Sequence, residues 1–154
     1  MSNITSLPND EVRDLYRELI LDHARKPRHF GKLENATHTA AGINPLCGDK
    51  LTLYVDLDDE GKIREAAFEG TGCAISVASA SLLTETVIGL PVGDAKQWFE
   101  NVTTALTNGS DVELGKLQAL TGVREFPSRV KCATLSWHAL NSALDNDKNP
   151  ASTE

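Results

Sequence analysis

The run Lys50 to Leu57 places apolar side chains at Leu51, Leu53, Val55 and Leu57, and this two-residue period fits a half-buried β-strand rather than an amphipathic helix. Asp58-Asp59-Glu60-Gly61 supplies a hairpin turn into a further strand, Lys62 to Glu69, and an earlier strand is expected around Thr39 to Gly42. Helical periodicity lies on both sides of this block. Asn9 to Lys26 carries Val12, Leu15, Tyr16, Leu19 and Ile20 on one stripe, with an acidic start and Pro27 as a stop. Beyond the strands, Cys73 to Ile88 reads as a helix closed by Gly89-Leu90-Pro91. Asp94 with Gln97 resembles a capping box for the next, whose stripe of Ala95, Trp98, Phe99, Val102 and Leu106 makes Trp98 and Phe99 core candidates, and Asn108-Gly109 ends it. Leu114, Leu117 and Leu120 point to a short helix. The last helix runs from Arg129 to about Asp145, with Ser128 as its N-cap and Val130, Ala133, Trp137, Leu140 and Leu144 on one face. The expected architecture is α+β, a small three-stranded antiparallel sheet covered by helices. One domain spans residues 1–145, and residues 146–154 form a flexible tail.

Three cysteines and one aspartate stand at the joints of this plan. Cys47 and Asp49 occupy positions i and i+2 at the mouth of the second strand, with the parity of its core face, and Pro45 and Gly48 leave room for irregular backbone. Cys73 follows the turn Gly70-Thr71-Gly72 and opens a helix of small residues, where free amides and the helix dipole favour a thiolate. Cys132 falls in the first turn expected for the last helix, with Arg129 and Lys131 nearby to ease negative charge. Three scattered cysteines are more often unrelated buried thiols, by roughly two to one, but each of these is set against a glycine, proline or helix-start signal. Three thiolates and a carboxylate suit tetrahedral zinc. There is no C-x-x-C pair. A carboxylate among thiolates favours a site that exchanges ligands, with a structural zinc as the alternative.

At these residues the chain resembles a known family. Asn44-Pro45-Leu46-Cys47-Gly48-Asp49, the stretch Gly70 to Ser81, and Arg129-Val130-Lys131-Cys132-Ala133-Thr134-Leu135 are similar to the three signatures of the IscU/NifU-N superfamily of iron-sulfur assembly proteins. The resemblance covers about Val12 to Leu144 and is nearest to the SufU branch, the zinc-dependent sulfurtransferases. It implies a SufE/NifU-like fold and zinc held by Cys47, Asp49, Cys73 and Cys132 at the sheet-helix junction. It further implies that Cys47 receives sulfur as a persulfide after a histidine of a PLP-dependent cysteine desulfurase, of the SufS type, displaces it from the metal. Relay to a SufB-type scaffold follows. Arg129 is implied in a productive encounter between the two proteins. As an alternative, the resemblance implies a scaffold for a nascent [2Fe-2S] cluster. Three departures weaken that alternative. Lys131 stands where scaffolds carry histidine, Phe126 to Lys131 replaces an L-P-P-V-K segment, and Asp111 to Gly122 looks like the SufU insertion.

A net charge of −7 argues against nucleic acid and anionic membranes as partners, and no apolar run approaches the roughly 18 residues of a membrane helix. An odd cysteine count without a basic-then-apolar start makes a reducing cytoplasm the expected compartment. Arg25, Lys26, Arg28 and Lys32, with His23 and His29, read as a solvated basic patch. The acidic turn lacks the spacing of a calcium loop, and His138 reads as a surface or packing residue.

Overall fold

The computed structural model describes residues 9–108, 113–124, 126–146 and 151–152, with backbone alone at 9–13 and 151–152. In chain order the elements are α1 (Asn9–Arg25), β1 (His38–Asn44), β2 (Asp49–Leu57), β3 (Ile63–Thr71), α2 (Ala74–Val87), α3 (Val92–Asn108), a 3-10 helix (Gly115–Val123), α4 (Pro127–Leu144) and β4 (Ala151–Ser152). The three expected strands form an antiparallel meander. Its register runs from His38↔Val55 to Asn44↔Asp49 between β1 and β2, and from Lys50↔Thr71 to Asp56↔Glu65 between β2 and β3. The two-residue β4 adds to the free edge of β1 in parallel, giving the order β3-β2-β1-β4. The tail expected to fray from Asn146 onward therefore contains one paired segment.

One sheet face carries the core. Leu51, Leu53 and Val55 of β2 and Ala66 and Phe68 of β3 are buried in the same cluster as Leu82, Leu83 and Val87 of α2 and Leu135, Trp137 and Leu140 of α4. Gly42 lets α4 lie close on β1, because a Cβ there would sit 3.2 Å from Leu135 Cδ1. The small residues of α2, Ser76, Ala78, Ser79, Ala80 and Ser81, are all buried, which brings its backbone near α4: Ser79 Oγ donates to the carbonyl of Ala133 at 2.5 Å. Leu114, Leu117 and Leu120 are buried too, on a 3-10 segment that starts where the leucine spacing predicts a helix.

Several boundaries differ from the sequence expectation. Phe126, not Ser128, is the N-cap of α4, because Pro127 fits the first helical position, where its missing N–H is not needed. Cys132 consequently lies in the second turn. α3 starts at Val92, and the amides of Asp94 and Ala95 already bond to the Pro91 carbonyl, so Asp94 belongs to the first turn and is not a cap. Gly109, expected to stop α3, and the Val12 side chain lie outside the described residues. His23 is not part of a solvated patch. It is 1% exposed, with Nδ1 2.7 Å from Ser81 Oγ and Nε2 3.5 Å from Glu85 Oε1, and it pins α1 to α2. His138 packs edge-on against Phe99, with centroids 5.3 Å apart. Among the described residues, no helix is long and apolar enough to cross a membrane.

Candidate metal centre

Asn44 closes β1 and Asp49 opens β2 directly opposite it, so residues 45–48 form the tight turn that carries Cys47. The turn is closed by the Gly48 amide, which donates to the Asn44 carbonyl at 2.9 Å, and Gly48 holds a φ of +73° that few other residues adopt without strain. Asp49 keeps the core parity of Leu51 and Leu53 and is fully buried, whereas Cys47, in the turn, escapes that parity and is exposed. β3 then leads through Gly70-Thr71-Gly72 to Cys73, the N-cap of α2. Both glycines are needed there. A Cβ on Gly70 would lie 2.2 Å from the Lys50 carbonyl oxygen, and one on Gly72 would lie 2.8 Å from Asp49 Oδ1.

Donor atoms of Cys47, Asp49 and Cys132 all fall within 4.8 Å of one another, and the sulfurs of Cys47 and Cys132 are 3.4 Å apart. Tetrahedral zinc with Zn–S near 2.3 Å sets its sulfur ligands roughly 3.8 Å apart, so this spacing suits such an ion. Cys73 is outside that compact set but belongs to the same locus: its amide donates to Asp49 Oδ1 at 2.9 Å, and its thiol is among the neighbours of the Cys132 thiol. An open cavity of about 670 Å³ is lined by all three cysteines, together with Tyr16 and Ile20 of α1 and Leu120 of the 3-10 helix. Arg129 stands at its rim, exposed, with its guanidinium 4.9 Å above the Phe126 ring.

The electrostatics of the cluster call for a cation. Burial pushes the Cys132 thiol strongly up, and Asp49, Cys47 and Cys73 push the same way, so the expected easing by Arg129 and Lys131 does not prevail. Asp49 is 0% exposed, yet among the described residues it has no ion-pairing cation. Its Oδ1 accepts from the Cys73 amide and its Oδ2 from Asn44 Nδ2 at 3.3 Å. A buried carboxylate beside three thiols is compensated when a divalent ion binds and the thiols release their protons.

Asn44 is a neighbour of the candidate ligands that its sequence context conceals. Asn before Pro reads as turn punctuation, but β1 extends two residues past Gly42, and Ala40, Gly42 and Asn44 share the buried face. That alternation was the available signal.

Fold and site together define a small α+β domain whose sheet end presents a cluster of thiols and one carboxylate suited to a soft metal ion. The model of the NifU-like N terminal domain matches residues 15–149, and the chain belongs to that family. Similar proteins include the zinc-dependent sulfurtransferase SufU of Bacillus subtilis, 37% identical over 91% of this chain and 96% of that one. The iron-sulfur cluster assembly scaffold protein IscU of Thermotoga maritima is 40% identical over 88% of this chain and 96% of its own. A crystal structure from Fervidobacterium islandicum, described as an iron-sulfur cluster assembly scaffold protein for the SUF system, is 37% identical. It superimposes with a TM-score of 0.78 over 82% of this chain and 94% of that one.

Proposed function

We propose that this protein is a persulfide carrier of the cytoplasm. In this reading it accepts sulfur on Cys47 from a PLP-dependent cysteine desulfurase of the SufS type and relays it to a SufB-type iron-sulfur scaffold. Cys47, Asp49, Cys73 and Cys132 are the residues that would hold Zn2+. The observation that carries the proposal is that Cys47 is the one exposed member of the compact donor set, on a turn beside buried Asp49 and Cys132, whereas Cys73, also exposed, lies outside that set at the N-cap of α2. The B. subtilis relative is described as a zinc-dependent sulfurtransferase, which supports the same reading.

Bound zinc supplies one thing, thiols kept deprotonated near neutral pH. The Cys47 thiolate attacks the terminal sulfur of the desulfurase persulfide. A new S–S bond forms on Cys47, the partner's S–S bond breaks, and the partner cysteine leaves as a thiolate, so charge and electrons balance. Asp49 keeps its place during this step, tied by the Cys73 amide. Arg129, exposed among the residues that line the cavity, is the residue assigned to the encounter with the desulfurase. Mass spectrometry tests the step: with desulfurase and cysteine the protein gains one sulfur atom on Cys47, and sulfur found only on Cys73 or Cys132 would refute the assignment.

A second reading rests on the relatives described as scaffold proteins. The same four side chains would then carry a nascent [2Fe-2S] cluster as cargo. Anaerobic reconstitution separates the two: a stable cluster that passes to an acceptor protein favours the scaffold.

A further inference from the structure

Asn44 is buried at 0% exposure at the end of β1, in register with Asp49. Its Nδ2 donates to Asp49 Oδ2 at 3.3 Å and to Cys132 Sγ at 3.4 Å, while its Oδ1 is buried with no partner among the described residues. Turning the amide over would set its oxygen against the Asp49 carboxylate oxygen, an acceptor, and against a sulfur that becomes an acceptor-only thiolate once metal binds. The donors therefore face the cluster, and the unpaired oxygen is the consequence. Among the described residues, the side-chain hydrogen bonds of Asn44 go to Asp49 and Cys132 and not to Cys47 or Cys73. We infer that Asn44 is the positioning residue of the centre: one carboxamide clamps Asp49 and Cys132 as the retained ligands and leaves Cys47 free to depart. This inference rests on the reading of the cluster as a zinc site.

Partners of metal ligands fix ligand orientation and tune the donors, and losing one weakens metal binding by about 10- to 100-fold. The test uses the full chain with Asn44→Ala and Asn44→Leu, the second filling the same volume should the first lose its fold. Zinc affinity is measured by chelator competition, and the near-ultraviolet thiolate-to-cobalt band of the Co2+-loaded protein reports on the sulfurs. Circular dichroism of the metal-free variants controls for folding. The expected result is zinc affinity lowered about 10- to 100-fold in a folded variant, with the cobalt band moved to longer wavelength as Cys132 loses its N–H donor. A purely structural asparagine would not move that band. Zinc affinity within about twofold of wild type, or an unmoved band, overturns the inference. Zinc-loaded wild type that accepts no sulfur would instead refute the carrier reading and leave the affinity and band results standing.

Discussion

The amide of Cys73 donates to Asp49 Oδ1 at 2.9 Å, so the first residue of β2 and the N-cap of α2 are fastened together through a buried carboxylate. Asp49 is thus both a candidate ligand and the joint between β2, entered from the turn that carries Cys47, and α2, capped by Cys73.

Replacing Asp49 by Ala strands that amide and the Asn44 donor together. Leaving buried donors unpaired costs about 1–3 kcal/mol per group. Urea unfolding of the metal-free variant should show a loss of that size, and chelator competition should show faster zinc exchange with changed sulfur transfer. Unchanged sulfur transfer in Asp49→Ala would remove Asp49 from the mechanism.

Gly70 and Gly72 separate fold from site. At Gly70, φ is +140° and a Cβ would lie 2.2 Å from backbone, so Gly70→Ala must distort the β2–β3 pair. At Gly72 the obstruction is Asp49 Oδ1 itself, at 2.8 Å. Gly70→Ala should lower stability by about 1–3 kcal/mol or more in urea unfolding. Gly72→Ala should show its larger effect in zinc affinity.

His23 makes stability depend on pH. Burial, then the neighbouring Arg28, lowers its pKa below the ordinary 6.5 against the pull of Glu85 and Asp22, with Lys116 also opposing protonation. The unfolded chain therefore holds more protons in the window between the lowered value and 6.5, and stability falls as pH drops through that window. Burial acts on His138 in the same direction. Urea midpoints of the metal-free protein at about pH 7.5 and about pH 5.5 should differ more in wild type than in His23→Gln.

Arg129 is exposed and stacks on Phe126, which is itself 47% exposed. Charge reversal by Arg129→Glu should raise the concentration needed to stimulate a desulfurase by about tenfold or more, with zinc content unchanged. Loss of zinc in that variant would show that the residue supports the centre instead.

The sheet was legible because its signals are local: alternation at Leu51, Leu53 and Val55, and a four-residue acidic turn before Lys62. The resemblance placed the four ligand candidates on three motifs, and the structure brings Cys47, Asp49 and Cys132 together, with Cys73 beside them. What stayed hidden depends on distant partners. His23 sits among basic neighbours in sequence, but its bond to Ser81 spans 58 residues. Asn44 meets Cys132 across 88 residues, and the only local signs of its place are its parity with Ala40 and Gly42 and its position at the head of the Cys47 motif. At α4, the capping preference of Ser128 lost to the fixed backbone angle of Pro127 one residue earlier.

The most direct measurement is the rate at which a SufS-type desulfurase releases alanine from cysteine, with and without this protein, in the absence of added iron and external reductant. Sulfur acceptance on Cys47 predicts strong stimulation by the zinc-loaded protein and none by Cys47→Ser. An active desulfurase that responds to neither, with the zinc site full, would contradict the carrier function and favour the scaffold.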